Sequence, residues 1–251
     1  MNRIIEKVKS FKGEITPPPD KSISHRAVMF ASLVKGQSII KNFLWAKDPI
    51  SSLNAMKSLG VKIEVNNSKE IIVDGEGLKS LKEPEDIIDC KNSGTTIRLI
   101  SGILAGQPFL SILTGDESLR QRPMKRIIEP LRQMGAEICS RANNRFPPIV
   151  IKGGDLKGIS YEMPIASAQV KSAILIAGLF AKGDTTVKEP HKSRDHTEKM
   201  LKSMGVELYI TKNTIKISPP SQELKPFEIT VPNDFSSAAF FYWRSLFSTR
   251  L

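Results

Sequence analysis

The sequence predicts a mixed α/β (α+β) fold in which three related units form one domain with rough threefold pseudosymmetry. Two observations lead to this prediction. An amphipathic helix end, a glycine and a short alternating strand occur together three times, and a more apolar helix lies upstream each time. Because both landmarks recur in the same order, a repeat explains them better than chance similarity between helix ends. The amphipathic segments are MKSLGVKIEV, LRQMGAEICS and LKSMGVELYI, which end at Val65, Ser140 and Ile210.

Glycine marks the ends of the predicted helices in each unit. The residue after a helix often adopts the left-handed conformation, which costs glycine little. The amphipathic helices are predicted to end at Gly60, Gly135 and Gly205. The apolar helices AVMFASLVKG, TIRLISGILAG and AILIAGLFAKG end at Gly36, Gly106 and Gly183. Strand candidates follow them, so one unit consists of an apolar helix, a strand, an amphipathic helix and a second strand.

The three units occupy residues 16–230, and this range is the predicted domain. A chain of 251 residues with 40% hydrophobic and 25% charged residues is long and apolar enough to form a core. Residues 231–251 begin with VPNDFSSAAFF, which predicts a turn and then a helix capped by Asp234 or Ser236. The apolar residues of that helix need a packing partner, and little sequence remains to provide one.

Composition and motifs exclude several classes of function. The N-terminus MNRIIEKVKS lacks the apolar stretch of a signal peptide, and the longest apolar run is too short for a membrane span. Cys90 and Cys139 form neither a disulfide framework nor a paired metal motif, which suits a reducing cytoplasm. The net charge of +11 favours an anionic partner, whereas an aromatic content of 6% argues against a stacking platform for single-stranded nucleic acid.

The three apolar helices begin with polar and cationic residues, in the segments DKSISHR, NSGTTIR and SAQVKS. Helix N-termini present unpaired N–H groups and a partial positive charge, so they bind phosphate and carboxylate groups well. LRQRPM predicts Pro123 as a first helical residue, and HKSRDHTE predicts a capping box of Asp195 and Glu198. Pseudosymmetry can bring these helix ends together, which predicts a cationic floor for a small polyanion.

A purely structural alternative stays open for each of these residues. Hydroxyl residues at helix starts are often plain caps, and single basic residues often pair with surface carboxylates. Neither a metal cluster nor a Ser-His-Asp order, a Walker loop or a dinucleotide fingerprint accompanies the polar helix starts. The alternatives are helix caps at Ser22, Thr95 and Ser167, surface ion pairs at Arg98 and Lys171, and an exposed histidine at His25.

Four groups of residues resemble the N-terminal part of the 3-phosphoshikimate 1-carboxyvinyltransferase (EPSP synthase) family. The segments are DKSISHRA, NSGTTIRL, ASAQVKSA with SRDHTEKML, and VPNDFSSAAFF. Their order and spacing match throughout, so the resemblance covers the chain up to Phe241. The resemblance implies a fold of two lobes, each with three βαβαββ units, and an active site between the lobes. Residues 16–230 would form one three-unit lobe, with residues 1–15 and 231–251 as remnants of the second.

The resemblance implies transfer of the enolpyruvyl group of phosphoenolpyruvate to the 5-hydroxyl of shikimate 3-phosphate, a step in the biosynthesis of aromatic amino acids. The implied reaction requires no metal or organic cofactor. Lys21 would contact both substrates and have a catalytic role. The implied shikimate 3-phosphate contacts are Lys21, Ser22, Arg26, Ser167, Ala168, Gln169 and Arg194. The implied phosphoenolpyruvate contacts are Lys21, Gly94, Arg122 and Gln169.

The chain also departs from the family pattern. Asn233 stands where the family usually has glycine, and the segment YWRSLFSTRL does not resemble the small-residue helix of the family. The family's second lobe supplies an acidic proton acceptor and further cations for phosphoenolpyruvate. We therefore expect a truncated or frame-shifted product that is inactive by itself, monomeric and cytoplasmic.

Two other activities compete with this interpretation. A related enolpyruvyl transferase acts on a UDP-sugar and carries a reactive cysteine on a loop, whereas Cys90 and Cys139 have the sequence context of structural residues. A basic RNA-binding or RNA-end-processing module is the alternative from another class. Scattered lysines and few aromatic residues argue against it, so we expect no nucleic-acid partner. A decayed remnant without function also remains open.

Overall fold

The computed structural model of the chain describes residues 13–248, with side chains described as far as residue 242. Residues 1–15 are predicted to be a remnant of a second lobe, and most of them lie outside the described residues. The helices are α1 (Lys21–Ala31), α2 (Lys47–Ser58), α3 (Gly94–Ala105), α4 (Lys125–Gln133), α5 (Arg141–Asn144), α6 (Ala168–Gly178), α7 (His196–Ser203) and α8 (Phe235–Ser248), with a 3₁₀ turn at Leu119–Gln121.

The strands form three four-stranded sheets, ordered β14-β1-β3-β2, β4-β5-β7-β6 and β9-β11-β13-β12, and a two-stranded sheet of β8 and β10. The strands are β1 (Lys35–Lys41), β2 (Lys62–Val65), β3 (Ile71–Glu76), β4 (Ile88–Asp89), β5 (Leu110–Thr114), β6 (Glu137–Ser140), β7 (Phe146–Lys152), β8 (Leu156–Lys157), β9 (Ser160–Glu162), β10 (Ala181–Lys182), β11 (Thr185–Lys188), β12 (Leu208–Ile210), β13 (Thr214–Ile217) and β14 (Glu228–Thr230).

Each four-stranded sheet repeats one pairing pattern, which confirms the prediction of three related α/β units. An outer strand pairs in parallel with the strand that follows the apolar helix: β14 with β1, β4 with β5, and β9 with β11. The remaining two strands pair antiparallel. The sequence pattern predicted a unit of helix, strand, helix and strand. The structure adds an outer parallel strand to each unit and a last strand at its end, which is β3, β7 or β13. The complete unit is therefore βαβαββ.

The first unit receives its outer strand from the far end of the chain. In β14, Glu228 pairs with Ile39 of β1. Beyond it, the amide of Asp20 donates to the carbonyl of Pro232 at 2.8 Å, so the segments before α1 and after β14 lie side by side. This pairing holds the chain segment that follows the third unit against the first unit. The domain boundaries at residues 16 and 230 stay a prediction.

The three apolar helices form the centre of the core. Nearly every residue of α3 is buried, and α3 packs closely against α6. Gly102 permits this approach, because a Cβ atom at Gly102 would lie 2.4 Å from the carbonyl oxygen of Ala173. Other fully buried side chains of these helices are Met29, Phe30, Leu99, Ile103, Ile174 and Leu175.

The observed helix caps agree in part with those predicted from the sequence. Ser167 caps α6 by accepting from the amide of Val170 at 3.4 Å, as the structural alternative for that residue predicted. The cap predictions for Ser22 and Thr95 are wrong, because residues just upstream act as caps. Asp20 accepts from the amide of Ile23 at 2.8 Å, and Ser93 accepts from the amide of Thr96 at 3.0 Å.

The two amphipathic helix starts differ from their predictions. Pro123 lies before α4, which begins at Lys125. Asp195 stands at the N-cap position of α7 but makes no side-chain cap hydrogen bond. Glu198 turns into the core, where it pairs with Lys171 at 2.6 Å, so the capping box does not form.

Helix α8 begins with the predicted cap. Asp234 accepts from the amides of Ser236 and Ser237 at 3.0 and 3.2 Å. Phe235 and Phe240 remain 75% and 81% exposed, so residues 13–242 do not bury these side chains. Among the described helices, none combines the length and the hydropathy that a membrane crossing requires.

The contact at Gly102 leads to a stability prediction. Replacement of Gly102 by alanine should lower the free energy of unfolding by about 1–3 kcal/mol, because the methyl group must push α3 away from the backbone of α6. Chemical denaturation measures the change. Gly154→Ala is the control, since no heavy atom lies within 4 Å of a Cβ built there. Equal stabilities of the two variants would contradict the proposed role of the close helix contact.

Candidate anion-binding site

Arg26 lies at the centre of the first group of predicted site residues. Its side chain is only 4% exposed and donates from Nε to Thr197 Oγ1 at 2.7 Å and from Nη2 to Ser172 Oγ at 2.7 Å. Its Nη1 donates to the carbonyl of Ser22 at 3.0 Å. Burial, with the charge of Arg194, lowers the pKa of Arg26 to about 10, so the guanidinium stays charged at neutral pH. Arg26 therefore connects α1, α6 and α7.

Arg194 and Lys21 lie at the solvent-facing side of this group. Arg194 is exposed and donates from Nη1 to Ser22 Oγ at 3.2 Å. Lys21 begins α1, and its Nζ lies 3.1 Å from Asp48 Oδ2, with 53% of the side chain exposed. Exposed ion pairs contribute little to stability. An anionic ligand can therefore compete with Asp48 for the ammonium group of Lys21.

The second group surrounds Gln169. Arg98 donates from Nη1 to Gln169 Oε1 at 2.7 Å, and Gln169 Nε2 donates to Thr95 Oγ1 at 3.0 Å. Both polar ends of the Gln169 amide are thus held by α3. Arg98 is 4% exposed, so the prediction that it forms a surface pair is wrong. Burial, with the charges of Arg126 and Arg122, lowers the pKa of Arg98 to about 10.

Gly94 lies between two guanidinium groups at the start of α3. A Cβ atom there would lie 2.7 Å from Nη1 of Arg98 and 3.2 Å from Nη1 of Arg122. Glycine therefore leaves room for both cations beside a helix N-terminus. Arg122 donates to Asn92 Oδ1, and Asn92 Nδ2 donates to Asp116 Oδ2 at 2.7 Å, which fixes the orientation of the Arg122 side chain.

Helix α6 connects the two groups. It carries Ser167 as its cap, Ala168 as its first residue and Gln169 in its first turn. One turn later, Ser172 donates to the carbonyl of Ala168 at 2.6 Å and accepts from Arg26. The predicted site residues thus fall into two hydrogen-bonded groups that share α6.

The arginines of these groups use neutral hydrogen-bond acceptors. Within residues 13–242, no carboxylate oxygen lies within 4.0 Å of a side-chain nitrogen of Arg26, Arg98, Arg122 or Arg194. The ion pairs of this part of the chain use lysine instead. Four such guanidinium groups lie beside the starts of α1, α3 and α6, and their positive charge favours the binding of an external anion.

Several contributors to the site were not assigned from the sequence. Thr197 and Ser172 orient Arg26, and Asn92 orients Arg122. Their hydroxyl and amide groups belong to the polar helix starts that the sequence analysis identified, but the pattern did not indicate which arginine each one would hold. Lys171 is buried between Glu189 and Glu198, so its predicted surface pair is wrong.

A buried polar network joins α1, α2 and α3 beneath the site. His25 Nδ1 lies 2.6 Å from Ser52 Oγ, and Ser52 Oγ lies 2.7 Å from Thr96 Oγ1. Thr96 Oγ1 donates to Ser93 Oγ at 2.7 Å. His25 is fully buried, so the prediction of an exposed histidine is wrong. Burial, with Arg26 and Lys21 nearby, lowers the pKa of His25 to about 3.

Both cysteines of the chain lie within residues 13–242 and outside the two hydrogen-bonded groups. Cys90 is buried, and burial raises the pKa of its thiol, which disfavours the reactive thiolate. In the same part of the chain, no three His, Cys, Asp or Glu side chains form an arrangement that could hold a metal ion. Cys139 is exposed on β6, so the structure does not bury it as it buries Cys90, but it belongs to neither hydrogen-bonded group. The rival interpretation thus has no reactive cysteine in the candidate site.

Comparison with known proteins agrees with this geometry. A sequence model of the EPSP synthase (3-phosphoshikimate 1-carboxyvinyltransferase) family matches residues 5–248. The 3-phosphoshikimate 1-carboxyvinyltransferase of Thermodesulfovibrio yellowstonii is 77% identical over 241 residues, which are 96% of this chain and 56% of that protein. The enzyme of the same name from Bacillus subtilis is 52% identical over 236 residues, which are 94% of this chain and 55% of that protein.

The fold is also similar to a solved structure. EPSP synthase from Acinetobacter baumannii superposes with a TM-score of 0.87 at 46% sequence identity. The match covers 92% of this chain and 52% of that chain. The chain thus spans about half the length of the curated relatives and solved structures that it matches.

The buried His25 leads to a prediction of pH dependence. The unfolded chain takes up a proton on His25 near pH 6.5, whereas the folded chain takes it up only near pH 3. The contribution of His25 to stability should therefore fall as pH falls from 6.5 towards 3, by at most about 1.4 kcal/mol per pH unit. Urea denaturation of the parent and of His25→Asn at several pH values isolates this contribution. Parallel stability curves would show that His25 does not titrate as described.

Proposed function

The chain belongs to the EPSP synthase family, and on that premise we propose that it binds shikimate 3-phosphate and phosphoenolpyruvate for enolpyruvyl transfer to the 5-hydroxyl of shikimate 3-phosphate. One observation carries the proposal: Arg26, Arg98, Arg122 and Arg194 have neutral hydrogen-bond partners and, within residues 13–242, no carboxylate at ion-pair distance. Both substrates are compact polyanions. They would supply the anionic partners that these four arginines lack within residues 13–242.

The proposed shikimate 3-phosphate site uses the first group and the start of α6. Arg194 would bind the phosphate together with the N-terminus of α6, where backbone N–H groups add to the guanidinium donors. Gln169 would lie against the ring, held by Arg98 and Thr95. The residues proposed as contacts are Lys21, Ser22, Arg26, Ser167, Ala168, Gln169 and Arg194.

The proposed phosphoenolpyruvate site uses the start of α3. Gly94 leaves room for the guanidinium groups of Arg98 and Arg122, and Arg122 offers donors from a side chain that Asn92 orients. Lys21 and Gln169 would reach both substrates. During transfer, the substrate hydroxyl loses its proton and attacks the carbon that carries the phosphate, while the methylene carbon gains a proton and becomes a methyl group. Phosphate then leaves as the methyl group loses a proton, which restores the carbon–carbon double bond. Charge therefore moves across a crowded polyanion, and preoriented arginine, lysine and backbone donors would stabilise the transition state.

Three related expectations stay predictions. They are that the chain is monomeric, that it has no nucleic-acid partner, and that it has no transferase activity by itself. Light scattering on the purified chain, titration with single-stranded and duplex RNA, and an assay of phosphate release from phosphoenolpyruvate would test them in turn. RNA binding that shikimate 3-phosphate does not displace would favour the RNA-binding alternative.

The phosphate requirement gives the first test of the proposal. Shikimate 3-phosphate should bind the chain at least about tenfold more tightly than shikimate, because each charge-assisted hydrogen bond to phosphate contributes about 1.5–3 kcal/mol. Titration calorimetry at low ionic strength compares the two ligands, and added salt should reduce the difference. Equal affinities would contradict the proposed phosphate site.

Arg194 gives the second test. Arg194→Ala should weaken binding of shikimate 3-phosphate roughly tenfold or more and leave shikimate binding unchanged, because a guanidinium binds phosphate through two parallel hydrogen bonds. Arg194→Lys should restore only part of the affinity. Arg132→Ala, at an exposed arginine in the last turn of α4, is the matched control. If both Arg194 variants bind like the parent, Arg194 is not a phosphate contact.

A further inference from the structure

Lys171 forms a buried group of three charges that the candidate site itself does not use. Its Nζ lies 2.9 Å from Glu189 Oε2 and 2.6 Å from Glu198 Oε1. The side chains of Lys171 and Glu189 are each 1% exposed, and that of Glu198 is 4% exposed. An ion pair withdrawn this far from water rarely stabilises a fold more than apolar side chains of the same size would. Stability alone therefore does not account for this buried group.

The two carboxylates mark the two ends of the segment that carries Arg194. Glu189 follows β11, Glu198 lies in the first turn of α7, and Arg194 stands between them in a stretch without helix or strand. A segment of this kind has no hydrogen-bonded ladder of its own to fix its course. One ammonium group holds both of its ends against α6.

A second contact connects the buried charged group to the backbone next to Arg194. Ser193 donates to Glu189 Oε1, the carboxylate oxygen that does not face Lys171. Arg194 is the next residue, and its guanidinium reaches Ser22 on α1. Lys171, Glu189 and Ser193 thus form a continuous chain of contacts from the core to the backbone that bears Arg194.

The far end of the segment is tied to the site as well. Thr197, which precedes Glu198, accepts from Arg26 at 2.7 Å and lies 2.6 Å from Ser172 Oγ. Ser172 is the neighbour of Lys171 on α6. The charge of Glu198 raises the pKa of Arg26, which opposes the effects of burial and of Arg194. The excess negative charge of the group, two carboxylates for one ammonium, therefore supports neighbouring cations.

We propose that Lys171, Glu189 and Glu198, acting with Ser193, are positioning residues that hold the Glu189–Glu198 segment so that Arg194 meets the phosphate of the ligand. The inference rests on the proposed function, since it assigns a task to the residues that surround a proposed phosphate contact. None of the four residues needs to touch the ligand. Their effect on binding should pass through Arg194.

Two variants test this positioning role while Lys171 keeps a carboxylate partner in the core. Glu189→Gln keeps the shape of the side chain and leaves Lys171 paired with Glu198, and Ser193→Ala removes one partly exposed hydroxyl. Each should weaken binding of shikimate 3-phosphate by about fivefold or more and leave shikimate binding within about twofold. Ser193→Thr, which keeps the hydroxyl, should bind like the parent. Circular dichroism and thermal melting confirm that each variant is folded.

A double-mutant cycle with Arg194→Ala separates positioning from a general structural role. In the Arg194→Ala background, Glu189→Gln and Ser193→Ala should change the affinity for shikimate 3-phosphate by less than about twofold, because the residue through which they act is gone. Their effects on thermal stability should persist in that background. Lys182→Met is the control, since it breaks an exposed pair with Asp155 that includes none of these residues.

The outcomes distinguish this inference from the proposed function. A parent chain that binds shikimate 3-phosphate and shikimate equally overturns both. A parent that prefers the phosphorylated ligand, with folded Glu189→Gln and Ser193→Ala variants that keep the preference, overturns the positioning role alone. Losses that remain equally large without Arg194 overturn it too. If Glu189→Gln does not fold, Ser193→Ala and its threonine counterpart decide the question.

Discussion

The burial of three apolar helices in one core is the constraint on which the rest of this structure depends. Helices α1, α3 and α6 pack together at the centre of the three units, and Gly102 brings α3 against the backbone of α6. Their polar first turns consequently lie within hydrogen-bonding distance of one another. Arg26 reaches α6, and Arg98 holds Gln169, so packing of the apolar parts assembles the polar ends into one site.

The electrostatic character of the site follows from what holds its arginines. Arg26 and Arg98 are almost fully buried, which lowers the pKa of each to about 10, yet both remain cations at neutral pH. Hydroxyl, amide and carbonyl oxygens orient them without neutralising their charge. Repulsion among neighbouring arginines is thus stored in the folded state, and a bound polyanion would relieve it. Such preorientation also reduces the ordering cost of binding.

The fold and the site differ in how far the sequence could predict them. Helix and strand periodicity, with glycine at the helix ends, was sufficient for three related α/β units, because these signals lie within about ten residues of each other. The outer strand β14 could not be placed in the same way. It pairs with β1 across nearly 190 residues of sequence, Ile39 with Glu228, and two short segments carry no local signal for such a partner.

The sequence by itself determined the repeated elements, the cationic helix starts and the resemblance that connects them to a family. Only the tertiary structure decided which polar residues are buried and what each one contacts. Glu198 fits an exposed capping box in sequence, but it pairs with Lys171 in the core, and His25 lies beneath the site against Ser52. The local sequence pattern is the same whether such a residue ends up exposed or buried. Burial depends on which helix packs above a residue, and residues far apart in the chain determine that packing.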